Sequence, residues 1–264
     1  MDNFAGFESW LRANSCGNLT VKDRFTHLAD FERSHPNFPH VTPVEIAMWI
    51  GRPGYAAWSR ATYYGHLRSY FRYATECGLV PLDPMQQMRR PKPGKTVPRP
   101  LSQAQVTAVL AGATPDIRAW LTLGLYAGLR AYEIAKIRGE DVDLEQLYVF
   151  GKGEQSAYVP CHRLVWKLAE TRPRYGWWFP TRSAAGHVTS AAVSGRTSKL
   201  FTTYGIEGSI HRCRHTFATQ LLRAGVNIRI VQTLMRHESL SSTQIYTAVD
   251  EVERRDAIAL LMAA

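Results

Sequence analysis

The sequence predicts a mainly α-helical protein with one small β-hairpin in its second half. Three observations lead there. Apolar residues recur at helical spacing through most of the 264 residues, often behind recognisable N-caps. Residues 89–100 interrupt that pattern with four prolines, one glycine and five basic side chains, and so divide the chain in two. A strand–turn–strand pattern is found at residues 147–160. The resulting division is a helical domain over 1–88, a linker over 89–100 and a second domain over 101–264.

In the first domain, Phe4, Phe7, Trp10 and Leu11 repeat at helical intervals. Thr20 is the expected cap of a second helix whose apolar face is Val21, Phe25, Leu28 and Phe31. Thr42-Pro43-Val44-Glu45 is a capping box with proline at the first helical position, and starts a third. Ser59 is the expected cap of a fourth, carrying Tyr63, Leu67, Tyr70, Phe71 and Ala74 and ended by Gly78. That helix also bears Arg60, His66, Arg68 and Arg72 among Tyr63, Tyr64 and Tyr73. Two readings fit: a helix lying along DNA, or a solvated basic face over core tyrosines.

The linker contributes Arg89, Arg90, Lys92, Lys95 and Arg99 with no acidic residue. An extended cationic strap of this kind can contact a phosphate backbone while joining two domains. A plain stiff linker is the simpler alternative.

The second domain opens on another capping box, Ser102-Gln103-Ala104-Gln105, ahead of Val106, Val109 and Leu110. Residues 115–125 predict a helix apolar on most sides, hence buried. Gly128-Leu129-Arg130 breaks it, and a short helix follows over 131–137. Leu147 to Phe150 favours strand, Gly151-Lys152-Gly153-Glu154 a turn, and Ala157-Tyr158-Val159 the return, with Lys152 near the tip. Helices are expected over 162–171 and 189–201, with the aromatic run Trp177-Trp178-Phe179 as core. Further helices follow over 216–222, ended by Gly225, and around Ile228, Val231 and Leu234. Tyr246 falls early in a helix after a short loop, and 251–261 predicts a terminal helix with Val252, Ile258, Leu260 and Leu261 on its apolar face.

The net charge of +10 and pI near 9.6 favour a polyanionic partner, nucleic acid being the commonest. A hydrophobic fraction of 45% with 29 aromatic residues excludes global disorder. Cys16, Cys77, Cys161 and Cys213 form no Cys-x-x-Cys pair, which argues against a zinc ribbon or redox motif. The N-terminus lacks the pattern of a signal peptide, and no apolar run suits a bilayer, so the expectation is a cytoplasmic protein with reduced thiols and no membrane partner.

The densest chemistry lies between His211 and Tyr246. His211-Arg212-Cys213-Arg214-His215, then Met235-Arg236-His237, then Tyr246 supply more donors than a buried structural segment uses. Arginine forks fit pairs of phosphate oxygens, histidine moves protons near neutral pH, and tyrosine can be a nucleophile. His211-x-x-x-His215 on a helix could also bind zinc, but a third ligand would have to enter strongly cationic surroundings, so no metal is assigned. No Gly-x-x-x-x-Gly-Lys-Ser/Thr nucleotide loop occurs.

His211-x-x-Arg214, His237 and Tyr246, preceded by Gly128-Leu129-Arg130-Ala131-Tyr132-Glu133 and Gly151-Lys152-Gly153, resemble the ordered motifs of the tyrosine recombinases, or phage integrase family. The ordered set, which covers most of the chain beyond Leu101, is more specific than any one piece. The resemblance implies a helical core-binding domain followed by an α+β catalytic domain, and DNA cleavage and rejoining through a 3′-phosphotyrosyl intermediate. It also implies that no cofactor is needed. By the same resemblance Tyr246 is the nucleophile, Arg130 and Arg214 hold the phosphate, and Lys152 protonates the leaving oxygen. His211 takes or shuttles the tyrosine proton, His237 bonds the phosphate, and Glu133 braces the site through His211 or an arginine. It favours the DNA-binding reading of Arg60, Arg68, Arg72 and the linker cations.

Two positions depart from the family pattern. Arg236 stands where glycine is usual, and Cys213 where leucine is common. The short N-terminal region suggests a compact, Xer-like member without an arm-binding domain, of phage, mobile-element or chromosomal origin. The implied partners are double-stranded DNA and three further copies of the chain, assembled from free monomers into a tetramer. An accessory or directionality protein is an optional addition, and the setting is the nucleoid. The terminal helix can then dock on a neighbouring subunit or fold back on its own core. A type IB topoisomerase and a non-catalytic DNA-binding protein on the same scaffold are the competing readings.

Overall fold

The computed structural model describes residues 4–94, 99–151, 156–236 and 256–261. The chain divides into two compact units, Met1–Thr96 and Val97–Ala264. The described residues are mostly helical, with one two-stranded antiparallel sheet.

The first unit holds α1 (Ala5–Ala13), α2 (Asn18–Ser34), α3 (Pro43–Ile50) and α4 (Ala57–Glu76). Their inward faces form an aromatic core, with Phe7 edge-on to Tyr70 at a centroid distance of 5.3 Å and Phe31 edge-on to Trp49 at 5.1 Å. The expected box at α3 is present: Thr42 N–H donates to Glu45 Oε2 at 2.7 Å, and Glu45 N–H to Thr42 Oγ1 at 3.2 Å. The expected caps of α2 and α4 are not. Gly17 and Ala56 occupy the N-cap positions without side-chain bonds, which puts Thr20 and Ser59 inside the first turns. Apolar spacing locates a helix's face, but its first turn can begin earlier when solvent takes the free N–H groups. Gly78, at φ +69°, ends α4 as expected.

The tyrosines of α4 belong to the core. Tyr64 and Tyr73 are buried, and Tyr64 Oη donates to Met88 O at 2.7 Å. Tyr63 packs on His27, Trp49 and Tyr55.

The second unit contains α5 (Gln103–Ala111), α6 (Pro115–Tyr126), α7 (Ala131–Ala135), β1 (Gln146–Val149), β2 (Ala157–Pro160), α8 (Arg163–Ala169), α9 (Ser190–Thr203), α10 (His211–Arg223) and α11 (Ile228–Leu234). As its apolar composition requires, α6 is enclosed, packing against α7, α8, α9 and α10. Gly124 lets α10 approach: a Cβ there would stand 2.8 Å from Cys213 Cβ. Strands β1 and β2 pair Leu147 with Val159, sending Leu147, Val149 and Val159 inward. The hairpin tip with Lys152 lies outside the described residues.

Three elements differ from expectation in extent. Helix α7 stops at Ala135. His162 is the N-cap of α8, its Nδ1 accepting from Leu164 N–H at 3.1 Å. Helix α10 begins at His211 rather than Thr216, so the His-x-x-Arg motif is helical. Trp178 and Phe179 are buried as expected, while Trp177 is half-buried against Arg138, whose guanidinium lies 4.1 Å from the ring centroid. Near the C-terminus, Ala257, Ile258 and Leu261 are buried in the unit's own core, and Leu260 is exposed. His162 Nε2 lies 3.3 Å from Leu261 O. The described part of the terminal segment therefore folds back on its own domain. No helix among the described residues is long and apolar enough to cross a membrane.

Candidate active site

The turn between α6 and α7 builds one wall of the site. Gly128 takes φ +60°, and a Cβ there would meet the Phe217 ring at 2.8 Å, so the turn requires glycine on both counts. Arg130 follows as the N-cap of α7, with extended backbone. Glu133, three residues on, reaches back: its Oε2 accepts from Arg130 N–H at 2.7 Å and its Oε1 from Arg130 Nη1 at 3.1 Å. Arginine has no side-chain acceptor, so only the glutamate arm of a capping box can form here.

Arg214 enters from the first turn of α10. It is 5% exposed and donates through Nη1 to Gly128 O and through Nη2 to Met235 O. Its Nη1 stands 3.9 Å from Glu133 Oε2. Burial, reinforced by Arg236 and Arg130, pulls its pKa down to about 9, which still leaves it protonated at neutral pH.

A third arginine joins them. Arg236, just past α11, has φ +48° and turns its side chain inward. Its Nη2 donates to Glu133 Oε2 at 2.8 Å, and its Nη1 to Leu234 O at 3.0 Å. Its carbonyl accepts from Arg130 Nη2 at 2.9 Å. Glu133 thus sits among three guanidinium groups. Burial alone would raise its pKa, but Arg236, the Arg130 N–H and Arg214 outweigh that and hold it below the ordinary carboxylate value. The glutamate hydrogen-bonds two arginines, Arg130 and Arg236. Arg236 as its partner was not foreseen; the one signal was a long cation at a position where the family pattern has glycine.

His211 and His215 lie one turn apart at the start of α10 with exposed side chains. Partial desolvation, then His215, Arg214 and Arg130, keep His211 below the usual imidazole pKa. Desolvation and Arg214 do the same for His215. Both rings are mainly neutral at pH 7 and can accept a proton. Among the described residues no group of three or more His, Cys, Asp or Glu side chains could hold a metal ion.

The start of the second unit is tied to α10. Thr216 Oγ1 accepts from Leu101 N–H at 2.8 Å, and Arg212 donates to Arg99 O at 2.8 Å and Pro100 O at 3.3 Å. Arg99 itself is exposed, 3.6 Å from Glu207. Of the other basic candidates, Arg68 pairs with Asp83 at 2.6 Å and Arg72 with Glu76 at 2.7 Å. Arg60 is half-buried, and Arg89, Arg90 and Lys92 are exposed. Arg130, Glu133, His211 and Arg214 are thus drawn to one region. Lys95, Lys152, His237 and Tyr246 lie outside the described residues.

Residues 100–253 match the model of the phage integrase family. The tyrosine recombinase XerD of Pseudomonas aeruginosa is 33% identical over 228 residues, covering 79% of this chain and 76% of the relative. The solved integrase from mycobacterium phage Brujita is 37% identical, covers 97% of this chain and 91% of its own, and superposes with a TM-score of 0.59. A lambda integrase tetramer bound to a Holliday junction has a TM-score of 0.72 at 17% identity, over 92% of this chain and 79% of that one, a likeness of fold.

Proposed function

This chain belongs to the phage integrase family and is a tyrosine site-specific recombinase, and from that premise we propose how its residues cut and rejoin DNA. Tyr246 Oη attacks the scissile phosphorus in line, forming a 3′-phosphotyrosyl bond as the bond to the 5′ oxygen breaks. The tyrosine proton passes to His211. Lys152 gives a proton to the departing 5′ oxygen, which leaves as a hydroxyl. His237 bonds the phosphate. Rejoining reverses these steps with the 5′-hydroxyl of the other strand. The phosphotyrosine keeps the energy of the broken bond, so the reaction requires no ATP, and the arginines supply the charge that metal ions supply elsewhere.

The observation that carries this reading is the meeting of Arg130 and Arg214, from two separate elements, beside one buried carboxylate. Among the described residues, the carbonyl bonds of Arg214 use one hydrogen on each terminal nitrogen. The second hydrogens and Nε–H remain for a phosphate oxygen. Neutral His211 beside them suits a proton acceptor.

Exposed Arg89, Arg90 and Lys92, with Arg60, Arg68, Arg72, Lys95 and Arg99, are proposed to grip the duplex backbone. In this reading the divisions 1–88, 89–100 and 101–264 are core-binding domain, strap and catalytic domain. The protein is a monomer when free, forms a tetramer on paired sites and works at the nucleoid.

The test is covalent trapping on fragmented host and mobile-element DNA carrying nicks, followed by mapping of SDS-resistant adducts. Adducts at a discrete sequence that vanish in Tyr246→Phe are expected. Scattered adducts would indicate a topoisomerase, and sequence-specific retention without adducts a binding protein.

A further inference from the structure

Arg236 has no part in the reaction above, yet its side chain is only 11% exposed among the residues that do. Its position costs stability twice. The backbone is left-handed, which side-chain-bearing residues seldom adopt, and Nε–H is buried with no acceptor among the described residues. In exchange the guanidinium holds Glu133 Oε2 at 2.8 Å, reaches Gly128 O at 3.3 Å, and brings its own carbonyl to Arg130 Nη2 at 2.9 Å. A strained residue packed into a site is a reason to ask what it does there.

A buried carboxylate requires a counter-charge. Arg236 and Glu133 cancel each other, and Arg214 stays 3.9 Å from the carboxylate, beyond hydrogen-bond reach. Three guanidinium groups around one carboxylate leave the cluster two net positive charges, with Arg130 sharing the carboxylate at 3.1 Å and Arg214 standing clear of it. A phosphodiester carries one negative charge, whereas five-coordinate phosphorus under attack by a tyrosine oxygen carries about two. We propose that Arg236 is a positioning residue of the phosphate site: as the counter-ion of Glu133 it fixes that carboxylate on Arg130 and leaves Arg214 free for the transition state.

The proposal rests on the reading of Arg130 and Arg214 as phosphate ligands. Its effect falls on the chemical step, because the charge it protects matters more in the transition state than in the bound substrate. Without Arg236, Glu133 draws on Arg214 and the site loses one net positive charge. Neutralising Glu133 as well returns that charge.

The test uses the full chain and a nicked duplex of the site mapped with the wild type. Arg236→Gly accepts the left-handed backbone and removes the guanidinium. It is expected to bind the duplex within about threefold of wild type and to form adduct about tenfold or more slowly at saturating DNA. Arg236→Lys is expected to recover part of the rate. The double variant R236G/E133Q is expected to be faster than R236G alone with no rise in its urea midpoint; a rate recovered only together with a raised midpoint would mark a structural role and overturn the proposal. If R236G does not fold, Arg236→Gln keeps bulk without charge and carries the same comparisons; failure of both to fold makes Arg236 a stability residue and overturns the proposal. R236G with the wild-type rate, a loss confined to DNA affinity, or a double variant slower than R236G would each overturn it. Absence of adducts with the wild type would instead sink the recombination reading.

Discussion

Arg130 and Glu133 hold each other twice: the Arg130 N–H donates to Glu133 Oε2 at 2.7 Å, and its guanidinium to Oε1 at 3.1 Å. One carboxylate thereby fixes both the backbone entering α7 and the direction of the arginine side chain. Removing its charge leaves Arg130, Arg214 and Arg236 crowded without compensation. Glu133→Gln is expected to lower the free energy of unfolding by about 3 kcal/mol at pH 7, read from urea denaturation followed by circular dichroism. The folded pKa of Glu133 is depressed below 4.5, so its stabilisation is complete above pH 4.5 and is lost as pH falls through the depressed value. The wild type and the variant should converge in acid. A difference constant from pH 7 down to pH 3 would contradict this account.

Arg214 spans two carbonyls, Gly128 O and Met235 O, with one planar fork. Lysine at this position offers a point charge that cannot serve both carbonyls and a phosphate in one geometry. Arg214→Lys is expected to retain sequence-specific DNA binding and to reduce single-turnover adduct formation by about 100-fold. A lysine variant as fast as wild type would remove Arg214 from the phosphate site.

His211 titrates below its usual value because of desolvation and the cations around it. A proton acceptor must be neutral, so the cleavage rate should be flat around pH 7 and fall only as the pH drops below 6.5. His211→Gln should lower the plateau about 100-fold and abolish that acid limb. An unchanged acid limb in the glutamine variant would assign it to another group.

On α4, Arg68 and Arg72 are already engaged by Asp83 and Glu76. Their exchange onto DNA phosphates therefore costs the ion pairs, which are partly exposed and weak. Arg60→Ala, Arg68→Ala and Arg72→Ala should each weaken DNA binding across sequences and lower the salt dependence, log K against log salt, by about one unit. Arg68→Ala should also reduce thermal stability, because Asp83 is the more buried of the two acids. Salt slopes equal to wild type in all three would move the DNA contact off this helix.

The sequence by itself determined the helical class, the capped starts of α3 and α5, the paired strands of the hairpin and the family. These depend on local rules: a Thr or Ser with Glu or Gln three residues later closes its own box, and glycine alone accepts the turn at Gly128. Helix onsets at Asn18, Ala57 and His211 were not legible, because solvent or tertiary packing can satisfy a first turn without a side-chain cap. Only the tertiary structure decided that Tyr64 and Tyr73 are core and that Ile258 and Leu261 cover their own domain. It alone decided that Arg236 takes Glu133 while Arg214 stands off at 3.9 Å. The physical reason is one of range. Periodicity and caps are set by neighbours within a turn, whereas the placing of Arg236 at 2.8 Å and Arg214 at 3.9 Å from one carboxylate is made by segments that meet only after the chain has folded.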